Sequence, residues 1–274
     1  MGMSTVVRLP LDRRGPGIEP LAAVRQATVR AGGRALLDAV DLEARAGEVL
    51  AVVGPNGAGK TTLLSVLAGD LAPDAGTATV AGRPAGQWRT VELARRRAVL
   101  PQQNPLSFPF TVGEVVAMGR APWRGTESQD RDEEIVATVL AETDVADLAG
   151  RRYPTLSGGE QARVALARVL AQDTELVLLD EPTASLDLRH QEDVLRLVGA
   201  KAAGGAGVVL VLHDLTLAAA YADRIAVLDE GKLAAVGPPE QVCTAGLLSE
   251  VYRCAVEIVP HPGSGKPIVL PRRD

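Results

Sequence analysis

A glycine-rich octapeptide between a predicted strand and a predicted helix constrains this chain more than any other feature. Residues 54–61 read Gly-Pro-Asn-Gly-Ala-Gly-Lys-Thr and fit the pattern G-x-x-x-x-G-K-S/T. The apolar run Val49–Val53 before them predicts a buried parallel strand, and residues 62–68 after them predict a helix. Glycines let the backbone curl so that successive N–H groups point inward, and the helix N-terminus adds the positive end of its dipole. The octapeptide therefore predicts a cradle for the phosphates of a nucleoside triphosphate.

The side chains at the end of the octapeptide have separate expected roles. Lys60 is long enough to reach the β- and γ-phosphates, and the Thr61 hydroxyl can ligate Mg²⁺. A plain glycine turn is the weaker alternative, because four fixed positions recur by chance in only about one chain in a hundred of this length. The predicted nucleotide contacts in this segment are Gly54, Pro55, Asn56, Gly57, Ala58, Gly59, Lys60, Thr61 and Thr62.

Charge and hydropathy argue against two classes of function. The 274 residues carry a net charge of −5, which disfavours electrostatic binding to nucleic acid. No apolar run approaches the roughly 18 residues of a membrane-spanning helix. Cys243 and Cys254 lack the spacing of a metal site and are predicted to be ordinary thiols. We therefore expect a protein that binds no nucleic acid and does not cross a membrane by itself.

Strand-like and helix-like segments alternate along most of the chain, which predicts an α/β fold with a mostly parallel sheet. Two early apolar runs, residues 21–29 and 36–44, flank Gly32 and Gly33 and predict an antiparallel hairpin beside that sheet. Further strands are predicted at residues 77–80, 97–100, 175–179, 208–212, 225–228, 233–236, 255–259 and 268–270. Helices are predicted at residues 90–95, 111–119, 130–143, 158–171 and 190–203.

Changes in composition predict three parts. Residues 1–20 are rich in Arg, Pro and Gly without the apolar core of a secretory signal, so a loose N-terminal arm is expected. Residues 21–258 are expected to form one nucleotide-binding domain. Within it, a polar, helix-rich stretch at about residues 104–165 predicts a helical subdomain inserted into the α/β core. Residues 259–274 form a tail.

A second apolar strand ends in two acidic residues. Residues 176–181 read Leu-Val-Leu-Leu-Asp-Glu, and ligands collect at the carboxyl ends of parallel strands. Asp180 suits Mg²⁺ coordination, whereas Glu181 points elsewhere and can polarise the water that attacks the γ-phosphate. Alone, this pattern is equally compatible with an ordinary turn. Its pairing with the phosphate cradle favours the functional interpretation.

A third motif, Leu-Ser-Gly-Gly-Glu-Gln at residues 156–161, precedes a predicted helix. Ser157 as N-cap and Glu160 three residues later form a capping box, which explains the spacing structurally. A capping box does not explain Gly158 and Gly159, which weaken the first turn while exposing N–H groups to an anion. This second phosphate-contacting surface cannot fold back onto the cradle of its own chain, which suggests a partner subunit.

Together these motifs resemble those of the nucleotide-binding subunits of ATP-binding-cassette (ABC) transporters. Residues 54–61 match the Walker A loop, residues 156–161 the family signature and residues 176–180 the Walker B strand, in family order. Gln102 is similar to the Q-loop glutamine, and His213 to the switch histidine. The resemblance implies a P-loop NTPase core with an N-terminal antiparallel β subdomain and the inserted α-helical subdomain.

The resemblance also implies roles that spacing alone does not assign. It implies a head-to-tail homodimer in which two ATP molecules lie between Lys60 of one copy and Ser157 of the other. The implied catalytic residues are Lys60, Gln102, His213 and Glu181, the last as general base. The implied Mg²⁺ ligands are Thr61, Gln102 and Asp180. Further implied nucleotide contacts are Ser157, Gly158, Gly159, Glu160 and Asp187, the last in a segment similar to the family's D-loop.

The implied partners are two copies of a transmembrane permease subunit and, through it, a periplasmic substrate-binding protein, with this chain on the cytoplasmic face of the inner membrane. Residues 118–122, 152–161 and 259–262 resemble importers of iron chelates, cobalamin and haem, and the middle segment resembles the haem importers most. Iron-siderophore or cobalamin import is the alternative. An exporter is disfavoured because no membrane spans are fused, and a non-transport ATPase because one short cassette is present.

Two further segments leave alternatives open. Family members carry an adenine-stacking aromatic where this chain has Arg30-Ala31, so either Arg30 stacks on the base or base recognition is weak. The loop 104–110, with Phe108 and Phe110, predicts either a groove for a helix of the permease or part of the subdomain core. His190 is predicted to lie on a solvated helix face.

Overall fold

The computed structural model describes residues 19–102 and 109–273, and a six-stranded sheet lies at its centre. The strands of this sheet are β3 (Val49–Val53), β6 (Arg97–Leu100), β7 (Leu176–Asp180), β8 (Gly207–Val211), β9 (Arg224–Asp229) and β10 (Lys232–Gly237). Their order is β10-β9-β3-β8-β7-β6. Every neighbouring pair is parallel except β9 and β10. The mostly parallel sheet predicted from the apolar runs is confirmed.

Alternate residues of the central strand β3 serve two separate cores. Val49, Ala51 and Val53 face the larger cluster, which includes the inserted helices, whereas Leu50 and Val52 face the cluster shared with the antiparallel sheet. Because both faces are covered, β3, β7 and β8 are buried along their whole lengths. The carboxyl ends of these three adjacent strands therefore open onto one edge, where the predicted functional residues follow each strand.

A four-stranded antiparallel sheet lies beside this core. It consists of β1 (Ala22–Ala31), β2 (Arg34–Ala44), β4 (Ala75–Val80) and β5 (Arg83–Pro84), in the order β2-β1-β4-β5. The hairpin turn between β1 and β2 uses Gly32 at φ +56° and Gly33 at φ +78°, which other residues adopt at a cost. The predicted N-terminal antiparallel subdomain is confirmed.

Nine α-helices occur in the described residues. They are α1 (Lys60–Ala68), α2 (Thr90–Ala94), α3 (Val112–Ala117), α4 (Asp132–Glu142), α5 (Gly158–Ala171), α6 (Leu188–Ala203), α7 (Leu215–Tyr221), α8 (Pro239–Val242) and α9 (Ala245–Tyr252). Helices α3, α4 and α5 pack against one another and form the helical subdomain. Within residues 19–102 and 109–273, no helix has the length and apolar character that crossing a bilayer requires.

The helix predicted at residues 111–119 is too long by two residues at its end. Helix α3 stops at Ala117, and residues 118–123 form a narrower 3₁₀ segment that contains Pro122. Gly119 lies so close to α5 that a Cβ there would be 2.1 Å from the Arg168 carbonyl oxygen. The buried Arg120 donates to the Ala171 carbonyl (3.0 Å), so this segment is fixed against the end of α5.

The last two strands form a ribbon of their own. Strands β11 (Val256–Pro260) and β12 (Pro267–Pro271) pair antiparallel, and Val269 N–H donates to Thr216 Oγ1 of α7 at 3.1 Å. Strand β11 includes both sides of the boundary between residues 258 and 259 that the sequence suggested for the tail. The predicted arm at residues 1–20 lies outside the described residues except for its last two positions.

Candidate nucleotide-binding site

The phosphate loop, residues 54–59, connects β3 to α1 and is shaped by two close backbone approaches. Gly54 has φ +150°, and a Cβ at this residue would lie 2.2 Å from the Leu228 carbonyl oxygen. Gly59 has φ +99°, and its Cβ would lie 2.4 Å from the Leu36 carbonyl oxygen. Only glycine fits at both ends, because a side chain would collide with backbone. The loop is thus held between β9 and β2.

Lys60 is folded back over the phosphate loop. Its Nζ donates to the carbonyl oxygens of Gly54 (2.8 Å) and Pro55 (2.9 Å), and only 6% of the residue is exposed. Burial lowers the pKa of Lys60, while the charges of Glu181 and Asp180 act in the opposite direction. The ammonium is therefore held at the loop beside two carboxylates, where a phosphate could take over its hydrogen bonds.

Asp180, the last residue of β7, is 3% exposed. Neither carboxylate oxygen has a hydrogen-bond partner in the described part of the chain. Burial raises the pKa of Asp180; the neighbouring Thr61 hydroxyl and the Lys60 charge lower it, and Glu181 raises it. A buried carboxylate that lacks a hydrogen-bond donor destabilises the fold, so a bound cation is the expected partner of its two oxygens.

Glu181 and His213 face each other across the ends of β7 and β8. The distance from His213 Nε2 to Glu181 Oε1 is 2.5 Å. Glu181 adopts φ +53°, an uncommon conformation for a residue with a side chain, and its N–H donates to Val211 O at 3.2 Å. Asp214 caps α7 by accepting from the N–H of Thr216 at 2.7 Å, which fixes the turn that carries His213.

These segments enclose one cleft of about 640 Å³. It brings together residues from five separate parts of the sequence, and most of them are predicted site residues. The lining is Leu36, Asn56, Gly57, Gly59, Lys60, Thr61, Thr62, Gln102, Glu181 and His213. Asp180 lies beneath this lining, at the buried end of β7, and Gly54, Pro55 and Ala58 form the back of the phosphate loop.

The signature residues do not line this cleft. Ser157 caps α5, and its Oγ lies 2.8 Å from Glu160 Oε2, while the Ser157 N–H donates to the same oxygen at 2.7 Å. The predicted capping box is therefore present. An added Cβ on Gly158 would meet nothing within 4 Å, so no atom of this chain's described residues requires glycine there.

Asp187 and His190 hold each other at the start of α6. Asp187 Oδ1 accepts from the His190 N–H (2.9 Å) and lies 2.7 Å from His190 Nδ1. The first of these contacts is the largest cause that lowers the pKa of Asp187. The prediction of a solvated His190 is wrong, because its side chain is only 18% exposed. A histidine at this helical position can turn back onto the capping carboxylate, which periodicity alone does not reveal.

Leu36 is the cleft residue that the sequence interpretation missed. It lies two residues into β2, where its carbonyl approaches Gly59. Arg30, the suggested stacking residue, is exposed and does not belong to the cleft lining; its N–H donates to Asp74 Oδ2 at 2.6 Å. The loop 104–110 falls mainly on residues 103–108, outside the described part of the chain.

Comparison with known proteins identifies the family. The model of the ABC transporter family matches residues 37–184. The hemin import ATP-binding protein HmuV of Streptomyces coelicolor is 60% identical over 265 residues, 97% of this chain and 94% of that protein. The protein of the same name from Thermobifida fusca is 59% identical over 242 residues, 88% and 85% of the two chains. A dimeric ATP-binding cassette bound to ADP and Pi in a post-hydrolysis state has a TM-score of 0.72 at 26% identity, covering 79% of this chain and 98% of that one.

This chain belongs to the ABC transporter family. It is an ATP-hydrolysing subunit with the P-loop NTPase fold, as the motif order predicts.

Proposed function

We propose that this chain hydrolyses ATP with Mg²⁺ to energise haem import through a membrane-embedded permease. The observation that carries the hydrolytic part is the cleft in which Lys60, Glu181 and His213 converge above the buried Asp180. The likeness to hemin import proteins over nearly the whole chain supports the cargo. Iron-siderophore and cobalamin are the competing cargoes.

The residues present fit Mg²⁺, a hard cation that prefers oxygen ligands and retains several waters. Asp180 supplies two carboxylate oxygens without donors, and the Thr61 hydroxyl is beside them. Gln102 lines the same cleft. Within the described residues no group of three or more His, Cys, Asp and Glu could hold a metal, which agrees with an ion shared between one carboxylate and the substrate phosphates. When bound, Mg²⁺ would neutralise the charge that develops on the transferred phosphoryl group.

Each side chain of the cleft has a proposed role in hydrolysis. Lys60 leaves the carbonyls of Gly54 and Pro55 and binds the β- and γ-phosphates. Glu181 accepts a proton from the attacking water, as its position at the cleft surface permits. His213 holds Glu181 in place through their 2.5 Å contact and contacts the γ-phosphate. Gln102 links the bound nucleotide to the helical subdomain that follows it.

The signature residues are proposed to act on the ATP of a second copy. They do not line the cleft of their own chain, while Gly158 leaves open space for an approaching phosphate. A head-to-tail dimer would place Ser157, Gly158, Gly159 and Glu160 opposite the partner's phosphate loop, with Asp187 near the two-fold axis. A dimeric ATP-binding cassette among the structural relatives supports the pairing of two copies.

Mixing two inactive variants tests the shared site. Lys60→Ala copies keep a working signature, and Gly158→Val copies keep a working phosphate loop. In a head-to-tail dimer, one of the two sites of a mixed pair is intact. Because about half of the randomly formed pairs are mixed, mixing should restore up to about a quarter of wild-type turnover. No restored activity at any ratio would contradict the shared site.

Transport is tested by uptake in a strain that lacks the gene. The wild-type chain is expected to restore accumulation of haem, whereas the Glu181→Gln variant is not. Co-purification should recover two copies of a permease that receives its cargo from a periplasmic substrate-binding protein, with this chain at the cytoplasmic face of the inner membrane. Restored uptake of a ferric siderophore or cobalamin, with haem uptake unchanged, would overturn the cargo.

A further inference from the structure

The end of helix α9 lies behind the phosphate loop, although about 190 residues separate them in the sequence. A cavity of about 240 Å³ separates the two. One wall is the loop itself, and the other combines the end of β9 with the end of α9. The lining is Pro55, Asn56, Gly57, Ala58, Asp229, Glu230, Val251, Tyr252 and Arg253.

Arg253 ends α9 in a left-handed conformation, φ +56°. Its guanidinium donates to Asp229 Oδ2 (3.1 Å) and Glu230 Oε1 (3.0 Å), and to the carbonyl of Val251 (2.7 Å). A residue with a side chain adopts this backbone conformation at a cost, which the surrounding contacts must offset. Arg253 thus fixes the C-terminal end of α9 to the β9–β10 turn.

The same turn is hydrogen-bonded to the phosphate loop. Gly231 N–H donates to the Ala58 carbonyl oxygen at 3.1 Å, and the Gly231 carbonyl accepts from Asp38 N–H of β2 at 2.8 Å. Glu230 in this turn has φ +47° and Gly231 has φ +79°. A continuous set of polar contacts therefore leads from Arg253 through the turn to the loop.

Tyr252 reaches the other end of the loop. Its hydroxyl is buried and has no hydrogen-bond partner in the described residues. Burial raises the pKa of Tyr252 to about 12, and the backbone N–H of Gly54 acts in the opposite direction. Tyr252 therefore lies against the start of the phosphate loop, sharing the cavity with Pro55, and its hydroxyl is near the Gly54 N–H without a fully formed hydrogen bond.

We infer that Tyr252 and Arg253 are positioning residues that hold the phosphate loop in its nucleotide-binding shape from behind. Arg253 acts through the β9–β10 turn on Ala58, and Tyr252 acts on the start of the loop, where the two share the cavity lining at Pro55. This inference rests on the proposed nucleotide site. Neither residue touches the substrate, so their effect falls on ATP binding more than on the chemical step.

Substitutions in the full-length chain test this role through binding of a fluorescent ATP analogue and through kcat and KM for ATP hydrolysis. Tyr252→Phe removes only the hydroxyl and is expected to raise Kd and KM about threefold, with kcat within about twofold of wild type. Arg253→Ala is expected to raise them about fivefold. Arg253→Lys keeps a charge opposite Asp229 and Glu230 and should recover most of that loss.

A merely structural role gives a different result. A buried hydroxyl without a partner costs stability, so a structural Tyr252 would give a Phe variant with higher Tm and unchanged KM. That outcome, or an Arg253→Ala effect confined to Tm and kcat, overturns the inference. Two matched controls use residues away from the phosphate loop: the hydroxyl of Tyr221 is bonded to Glu192, and Arg196 pairs with Glu192 within α6. The Tyr221→Phe and Arg196→Ala variants should both retain the wild-type KM.

Lys60→Ala separates this inference from the proposed site. If that variant binds ATP as wild type does, the site itself is wrong and the inference falls with it. If Lys60→Ala loses affinity while the Tyr252 and Arg253 variants keep their KM, the site stands and only the positioning role is refuted.

Discussion

His213 Nε2 lies 2.5 Å from Glu181 Oε1, so the ends of two neighbouring parallel strands are joined by a contact between side chains. Glu181 is 13% exposed at its side chain, and His213 is 49% exposed. The carboxylate is therefore held at the cleft by a residue that remains open to an incoming phosphate. Glu181, the proposed base, is thus held in place, while His213 remains accessible for contact with the γ-phosphate.

Glu181→Gln is expected to lower ATP turnover by at least about a hundredfold, because it removes the proposed general base and keeps a side chain of the same size. ATP binding should remain, so the variant should accumulate as an ATP-bound dimer in size-exclusion chromatography with MgATP. Glu175→Gln is the control: Glu175 precedes the same strand and pairs with Arg96 at an exposed site. Near-normal turnover in Glu181→Gln would refute the base assignment.

Asp180→Asn is expected to stabilise the nucleotide-free protein and weaken its use of Mg²⁺. The substitution removes a buried charge that lacks donors, so the free energy of unfolding should rise by about 1 kcal/mol. The Mg²⁺ concentration that supports half-maximal ATPase should rise at least about tenfold, because a ligand is lost. Thermal unfolding without nucleotide and a Mg²⁺ titration measure the two effects. A destabilised variant with an unchanged Mg²⁺ requirement would contradict the metal role.

The buried Asp180 also predicts a dependence of stability on pH. Burial raises its pKa in the folded state above the ordinary 3.8. From pH 3.8 upward to that raised value, the folded protein keeps a proton that the unfolded chain has lost. The contribution of Asp180 to the free energy of unfolding therefore falls as pH rises through this window.

Urea unfolding of wild type and Asp180→Asn from about pH 4 to about pH 7 isolates this contribution, because other groups titrate alike in both. The stability of the variant relative to wild type should increase as pH rises. Parallel curves for the two proteins would show that Asp180 keeps an ordinary pKa. Lys60 contributes in a separate, alkaline pH window, because burial lowers its pKa in the folded state below the ordinary 10.5. Within that window the unfolded chain holds a proton that the folded protein has lost, so the contribution of Lys60 to the free energy of unfolding rises with pH.

The sequence predicted those parts of the fold in which local pattern and tertiary role coincide. The apolar runs that end at Asp180 and precede His213 predicted buried parallel strands, and the strand at Arg97–Leu100 and the helix at Gly158–Ala171 have the predicted bounds. The structure places the residues that follow these strands in one cleft, while their chemical roles remain predictions.

What pattern could not provide is contact between distant segments. Leu36 enters the cleft because β2 passes Gly59, and nothing in the local sequence of Leu36 indicates this approach. Tyr252 and Arg253 read as the end of an ordinary amphipathic helix, and only the fold brings them behind the phosphate loop. The predicted helix at residues 111–119 ends at Ala117, because Gly119 packs against α5 and Pro122 follows it; the proline was a local signal, but the contact with α5 was not.

The two ends of the phosphate loop should tolerate alanine very differently from its middle. A Cβ at Gly54 would lie 2.2 Å from the Leu228 carbonyl oxygen, whereas one at Gly57 meets nothing within 4 Å. Both residues have positive φ, +150° and +79°, so Gly57→Ala carries only backbone strain of about 1 kcal/mol. Gly54→Ala must also displace the loop from β9, so we expect it to lower the free energy of unfolding by more than about 2 kcal/mol. Urea unfolding and ATP-analogue binding of both variants measure the difference, and Gly57→Ala should retain most of its affinity. Equal losses in the two variants would mean that the close approach to Leu228 does not shape the loop.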